Sequence, residues 1–252
     1  MKDIDIKKGP LLDIPIGVKI TKEFDKESWK PKTNLGKLVK SGQITTIEEI
    51  MDNGYKILEP EIVDILIPNL EKDLLAIGQS KGKFGGGKSS IWRQTQKKTK
   101  EGNNISFTAC AIVGNKDGYV GIGFGKARET VPAREKATRQ AKLNLIKIRR
   151  GCGAWECNCG TNHSIPYISE GKSGSVIIRL IAAPKGNGLI IGNECKKILR
   201  FAGIKDVYSK SFGHTATKLN LIKACFASLK NITKTKVLPE TSKKLGLVEG
   251  RI

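Results

Sequence analysis

The sequence predicts an α+β protein in which a short helical N-terminal extension precedes two sheet-and-helix domains. Three observations predict it. Residues 105–125 hold two runs rich in β-branched and aromatic residues around a turn, the stretch after them places alanines four apart, and beyond residue 174 another strand-like run is followed by two amphipathic stretches. With 252 residues, 38% of them hydrophobic, the chain is long enough for one large or two modest domains with a buried core.

Residues 1–28 read as a tail. They lack the apolar stretch of a signal peptide, and no run of about eighteen apolar residues follows anywhere, so a soluble chain inside the cell is expected, without a membrane partner. In 29–78, "WKPKTNLGKLVKSG" and "TTIEEIMDNG" read as short helical pieces; the second opens with Thr46-x-x-Glu49 as a capping box and stops at Asn53-Gly54. "EPEIVDILIPNLEKDLLAIG" reads as two more, with Pro60 at a first helical position, Asn69 as an N-cap and Gly78 as a stop. No catalytic constellation stands among them. Packing against another protein or against the following domain is the expected role.

Residues 79–104 read as a basic loop. Within it Gly82-x-x-x-x-Gly87-Lys88-Ser89 fits the phosphate-cradling P-loop at every defined position, which raises the alternative of a nucleotide hydrolase. That motif needs a strand before it and a helix whose N-terminus faces the phosphates after it. The upstream residues read as helices, and "SSIWRQTQKKTKEGNN" offers only Ile91 and Trp92 as large apolar residues, so neither partner is expected. A loop that lies along phosphates is the better reading.

In 105–150, "ISFTACAIVG" and "YVGIGFG" flank the turn residues "NKDG" and predict a hairpin. The following helix carries Ala133, Ala137, Ala141 and Leu145 on one face and Arg134, Lys136, Arg139 and Lys142 on the others. Strand, turn, strand and basic helix is the pattern of a double-stranded-RNA-binding module, which reads phosphates and 2′-hydroxyls by shape. Gly121, Gly123 and Gly125 fail the dinucleotide fingerprint at its last position and point to close backbone packing. Beyond a 151–174 connector, the domain at 175–233 is expected to run strand 175–182, helix 193–202, strand 204–210 and helix 215–230, with Leu219, Ile222, Phe226 and Leu229 as the last helix's apolar stripe. Residues 234–252 read as a basic tail.

Charge is spread unevenly. Residues 1–80 carry 12 basic and 14 acidic side chains, residues 81–150 carry 17 and 4, and residues 151–252 carry 16 and 6. A basic block this dense is the electrostatic footprint of a polyanion partner, and a small-molecule substrate is not expected.

Six cysteines in such a chain argue for metal binding or burial over disulfides. Cys152, Cys157, Cys159 and His163 form C-x4-C-x-C-x3-H, enough for a closed tetrahedral zinc site with structural and not catalytic purpose, and Gly151, Gly153 and Gly160 allow the turns. The alternative is a metal-free loop folded against RNA through Arg149, Arg150 and Trp155. Glu156 beside the cysteines is not enough for a zinc deaminase, because neither half of that signature is present. Cys110, Cys195 and Cys225 sit in apolar contexts and read as small buried hydrophobes, and His214 as a loop or cap residue.

"FTACAIVGNKDGYVGIGFGKARETVPAREKA", "KSGSVIIRLIAAPKGNGLIIG" and "AGIKDVYSKSFGHT", in this order, resemble the small-subunit ribosomal protein S-five family, called S-two in eukaryotes. "LGKLVKSGQITTIEEI", "EPEIVDILIPNLEKDLL" and "RRGCGAWECNCGTNHSIP" place the resemblance nearest the archaeal branch; it runs from about Trp29 to Thr233. It implies a double-stranded-RNA-binding-like domain followed by an α+β domain with a left-handed βαβ crossover. It also implies a non-enzymatic constituent of the small ribosomal subunit in the cytoplasm, seated on the body near the head junction. There it would bind small-subunit rRNA, touch the S-four and S-eight proteins, line the path by which messenger RNA enters and influence translational accuracy. The family's long RNA-reaching hairpin matches "RQTQKKTKEGNNISF", so Arg93, Lys97, Lys98 and Lys100 are expected phosphate contacts. Lys126 and Arg128 match the strand-to-helix corner, and Arg134, Arg139, Lys142, Arg149 and Arg150 complete the expected RNA-binding set, each with a solvated side chain as its bland alternative.

Overall fold

The computed structural model describes residues 29–79 and 89–251. The expected tail 1–28, and Gly82, Gly87 and Lys88, lie outside them. Three short helices open the described chain: α1 (Asn34–Lys40), α2 (Ile47–Asp52) and α3 (Pro60–Leu66). Thr33 caps α1 by accepting the Gly36 N–H, and Pro60 starts α3, where its missing N–H is no loss. At α2 the expected capping box closes differently: Thr46 makes no side-chain bond to the helix backbone, and its hydroxyl donates to Glu49 Oε1 at 2.7 Å.

The expected helix after Asn69 is a strand, β1 (Glu71–Leu75). Five residues give no period that separates strand from helix, and the unpaired edge of β3 (Gly102–Gly114) decides the matter by pairing with β1 antiparallel. The 79–104 loop likewise holds a strand where described, β2 (Arg93–Thr99), which forms a hairpin with β3. Thus a strand does precede the P-loop pattern, but after Ser89 the chain enters β2, another strand, where that motif needs a helix. β3 is long enough to take β1 along one half of its edge and β2 along the other. Its opposite edge pairs with β4 (Tyr119–Ala127), which pairs with β5 (Leu145–Lys147).

Helix α4 (Thr130–Leu143) lies on one face of this sheet with Ala133, Ala137 and Ala141 fully buried. Leu145, expected as a fourth residue of that stripe, is instead in β5, because the helix ends at Asn144. The α4 face of the sheet is made of Ala109, Ala111 and Val113, paired with Gly125, Gly123 and Gly121.

The second domain has the sheet order β7-β8-β10-β9, from β7 (Ser169–Ser173), β8 (Val176–Ala182), β9 (Leu189–Ile190) and β10 (Val207–Phe212). Helices α5 (Asn193–Phe201) and α6 (Lys218–Lys234) cover it, and α5 links the parallel pair β9 and β10. Sequence reading misses β7 and β9: β7 is "SEGKS", with no apolar run, and β9 has two residues. The two domains are not separate cores. Cys110, Ile112, Val120 and Ile122 from the free face of the first sheet join Ile178, Leu180, Ile198, Leu199 and Ile222 in one cluster. A second cluster joins Trp29, Ile50, Ile62 and Val63 of the helical extension to Tyr119 and Leu145, so the extension packs on the domain that follows it.

The expected 234–252 tail is also structured over its described residues, 234–251. After α7 (Pro239–Lys244) the chain returns as β11 (Val248–Glu249) to pair with β6 (Arg149–Arg150), beside the cysteine-rich connector. Among the described residues, no helix is long and apolar enough to cross a membrane.

Candidate nucleic-acid interface and metal centre

Strand register brings together basic residues distant in sequence. Arg93 is opposite Thr108, and Thr108 is opposite Lys126, so the three sit side by side across β2, β3 and β4. Strand alternation places Thr95 and Lys97 on the same face as Arg93, and Lys97 faces Asn104. The result is a polar, cationic stripe on the face opposite α4, beyond the edge of the shared core. Lys98 pairs with Asn103 on the other face, and Lys100 stands in the hairpin tip; all four hairpin cations are exposed. Arg128, Arg134 and Arg139 are also exposed, on the corner and the outer side of α4.

Three members of the expected RNA-binding set are placed differently. Lys142 is buried and paired with Asp64 of α3, so it ties the helical extension to α4. Arg149 pairs with Glu249 and donates to the Thr235 carbonyl. Arg150 is 3% exposed and donates through Nη2 to Asp117 Oδ1 at 2.7 Å and to the Gly250 carbonyl at 2.9 Å. A helical face assignment makes Lys142 look outward because it cannot show that another element covers that side.

The connector brings Cys152, Cys157, Cys159 and His163 together, with their ligand atoms all within 4.8 Å of one another. Several contacts fold it. Gly151 bridges to Ser164, the Cys152 N–H donates to the Leu245 carbonyl at 2.9 Å, and Gly160 turns at φ +58°. Gly153 is required for a different reason than turning: a Cβ there would sit 1.9 Å from the Pro166 carbonyl oxygen. Cys157 Sγ is 3.9 Å from His163 Nε2. Ligands of a tetrahedral zinc with Zn–S of about 2.3 Å and Zn–N of about 2.0 Å lie roughly 3.5–3.8 Å apart, so the donor set fits after small movements. Bonds from the hydroxyl and N–H of Thr161 hold the Cys159 thiol down to about 6, whereas burial pushes Cys152 up to about 11 and the neighbouring cysteines add to the rise. A dication among these thiols would favour their thiolate forms together.

Behind the cluster stands a residue that sequence reading missed. Asp206, immediately before β10, accepts the His163 Nδ1–H at 2.8 Å, which turns Nε2 toward the cysteines. Its other oxygen accepts the Gly186 and Gly188 N–H groups at 3.1 and 2.8 Å, so the carboxylate is locked on both sides. The pair is 43 residues apart, and no local spacing signals it. A carboxylate bonded to the far ring nitrogen holds a metal-binding histidine in one tautomer and orientation. Asp206→Asn is expected to weaken metal binding about tenfold or more. Competition of the full-length protein against a chromophoric chelator measures it, and unchanged affinity would remove Asp206 from the site.

The remaining cysteines, Cys110, Cys195 and Cys225, are fully buried, and burial holds Cys110 up to about 12, so they behave as small apolar side chains.

The chain is similar to known proteins along most of its length. Residues 91–149 match the family model for ribosomal protein S5, N-terminal domain, and residues 171–242 match that for ribosomal protein S5, C-terminal domain. Among similar proteins, small ribosomal subunit protein uS5 of Nanoarchaeum equitans is 53% identical over 226 residues, covering 90% of this chain and 97% of the relative. The uS5 of Methanocaldococcus jannaschii is 47% identical over 229 residues, 91% of this chain and 99% of the relative. That of Pyrobaculum aerophilum is 47% identical over 224 residues, 89% and 96%. With near full-length similarity on both sides, this chain belongs to the ribosomal protein S5 family.

Proposed function

We propose that the chain is a structural, non-catalytic constituent of the small ribosomal subunit and binds the rRNA of that subunit. The carrying observation is the stripe of Arg93, Lys97 and Lys126, which three strands assemble beside Thr95, Asn104 and Thr108. Such a surface offers charge to phosphates and short polar groups to 2′-hydroxyls without a pocket for a single base. In the subunit it sits on the body near the head junction, beside the S-four and S-eight proteins and the path of incoming messenger RNA, and supports accurate decoding. The connector holds one zinc ion through Cys152, Cys157, Cys159 and His163, which closes the 152–163 loop on itself and supplies no reaction step.

Filter binding of the full-length protein to small-subunit rRNA at several salt concentrations tests the interface. Each phosphate contact contributes about 0.7–0.9 to the slope of log affinity against log salt. Substituting Arg93, Lys97 and Lys126 together by glutamine is expected to flatten the slope by about two and weaken binding at least about tenfold. An unchanged slope would move the interface elsewhere.

A further inference from the structure

Where the two domains meet, a cleft of about 660 Å³ opens between the 115–118 turn, Arg150 of β6, residues 161–163 and the second-domain loops around Lys185 and Lys205. Four cations line it: Lys116, Arg150, Lys185 and Lys205. Two carboxylates share the lining, and both are engaged. Asp206 is occupied by His163 and two backbone N–H groups, and Asp117 accepts from Arg150. Lys116 pairs with Glu71. Lys185 and Lys205 are exposed, and neither has an ion-pair partner among the described residues.

Two further observations point to a ligand. Arg150 is almost fully buried at the back of the cleft, yet its Nε has no hydrogen-bond partner among the described residues. At the rim, Lys116 is the non-glycine residue that the described chain holds at positive φ, +60°. It is kept there by its N–H bond to the Phe201 carbonyl and by Gly203, where a Cβ would come within 2.3 Å of the Lys116 carbonyl oxygen. A backbone strained and locked across a domain junction keeps the rim in one shape. A guanidinium and two uncompensated ammonium groups around one concavity suit an anion with several acceptor oxygens.

We propose that this cleft binds a phosphate group, supplied by the RNA backbone or by a free oligophosphate. The RNA source rests on the rRNA-binding reading above. The adjacent metal centre shapes the site, because the His163 carbonyl accepts the N–H groups of both Lys205 and Asp206 at 2.9 and 3.1 Å.

The test uses the full-length protein, a Lys185→Gln/Lys205→Gln variant and a Lys185→Arg/Lys205→Arg variant that restores charge. Binding to small-subunit rRNA is measured against salt, and binding to pyrophosphate by calorimetry. If RNA supplies the phosphate, the glutamine variant binds RNA with a slope shallower by about 0.7–0.9 and roughly tenfold more weakly, and the arginine variant recovers most of the loss. If a free oligophosphate is the ligand, pyrophosphate binds the parent and the arginine variant, the glutamine variant loses it, and RNA binding is unaffected. Parent protein that binds rRNA while the glutamine variant equals it in both measurements would overturn the site and leave the RNA-binding reading standing. Parent protein that binds no rRNA would defeat that reading, and the pyrophosphate arm alone would then decide the cleft: charge-dependent binding supports it, and none overturns it.

Discussion

Replacing Gly123 with valine is expected to destabilise the protein by more than about 4 kcal/mol, enough to leave little folded protein at ordinary temperature. A Cβ at residue 123 would lie 2.2 Å from the carbonyl oxygen of Ala137 and 2.2 Å from the backbone nitrogen of Ala141. Both are helix backbone atoms, which cannot turn aside as a long side chain can. The same geometry repeats at Gly121 against the Ala141 carbonyl and at Gly125 against that of Ala133, each at 2.2 Å. Four helix residues advance about 6 Å and two strand residues about 7 Å, so a glycine every second position stays beneath an alanine every fourth. In the second domain Gly171 repeats the device, with a Cβ 2.1 Å from the Ala224 carbonyl. Urea denaturation followed by circular dichroism measures the effect; a midpoint within experimental error of the parent would mean that α4 lifts off the sheet without cost.

Purified protein is expected to carry about one zinc ion per chain, and Cys157→Ser with Cys159→Ser to carry essentially none. Metal analysis by mass spectrometry reads the result directly, and stoichiometric zinc in the double variant would refute the assignment. Zinc in classical finger peptides contributes the whole of folding, with apparent binding energies of about 10–16 kcal/mol. Here the shared apolar cluster contains no residue of 151–163, so metal loss should open that segment and the β6–β11 pairing while the sheets survive. Stabilisation by a ligand present at a thousand times its Kd is about 4 kcal/mol, which sets the scale of the expected drop in thermal stability. Hydrogen exchange should locate that drop at the amides bonded across the connector, such as Cys152 to Leu245 and Gly151 to Ser164.

Much of this site is legible from local sequence because its signals are short-range. The four metal-ligand candidates lie within twelve residues, the hairpin announces itself through turn residues between β-rich runs, and the cations of β2 belong to one segment. The features that escaped share a common cause. The 69–78 segment reads as a helix because its strand character comes from β3, which lies thirty residues onward. Lys142 and Arg150 read as RNA contacts because Asp64 and Asp117, which occupy them, are far away in the chain. Asp206 gives no signal at all until β10 is brought beside the connector.

By itself the sequence pointed to a polyanionic partner, to the β3–β4 hairpin with the helix after it, to β8, β10 and the two helices of the second domain, and to the metal-ligand candidates, since composition, period and spacing are properties of the chain as written. The tertiary structure alone decided which cations face outward, that Arg93 and Lys126 share a stripe, that the domains share one core and that a carboxylate backs His163. These are pairings between residues tens of positions apart, and their energy exists only after the intervening chain has closed its loops and excluded water between the surfaces.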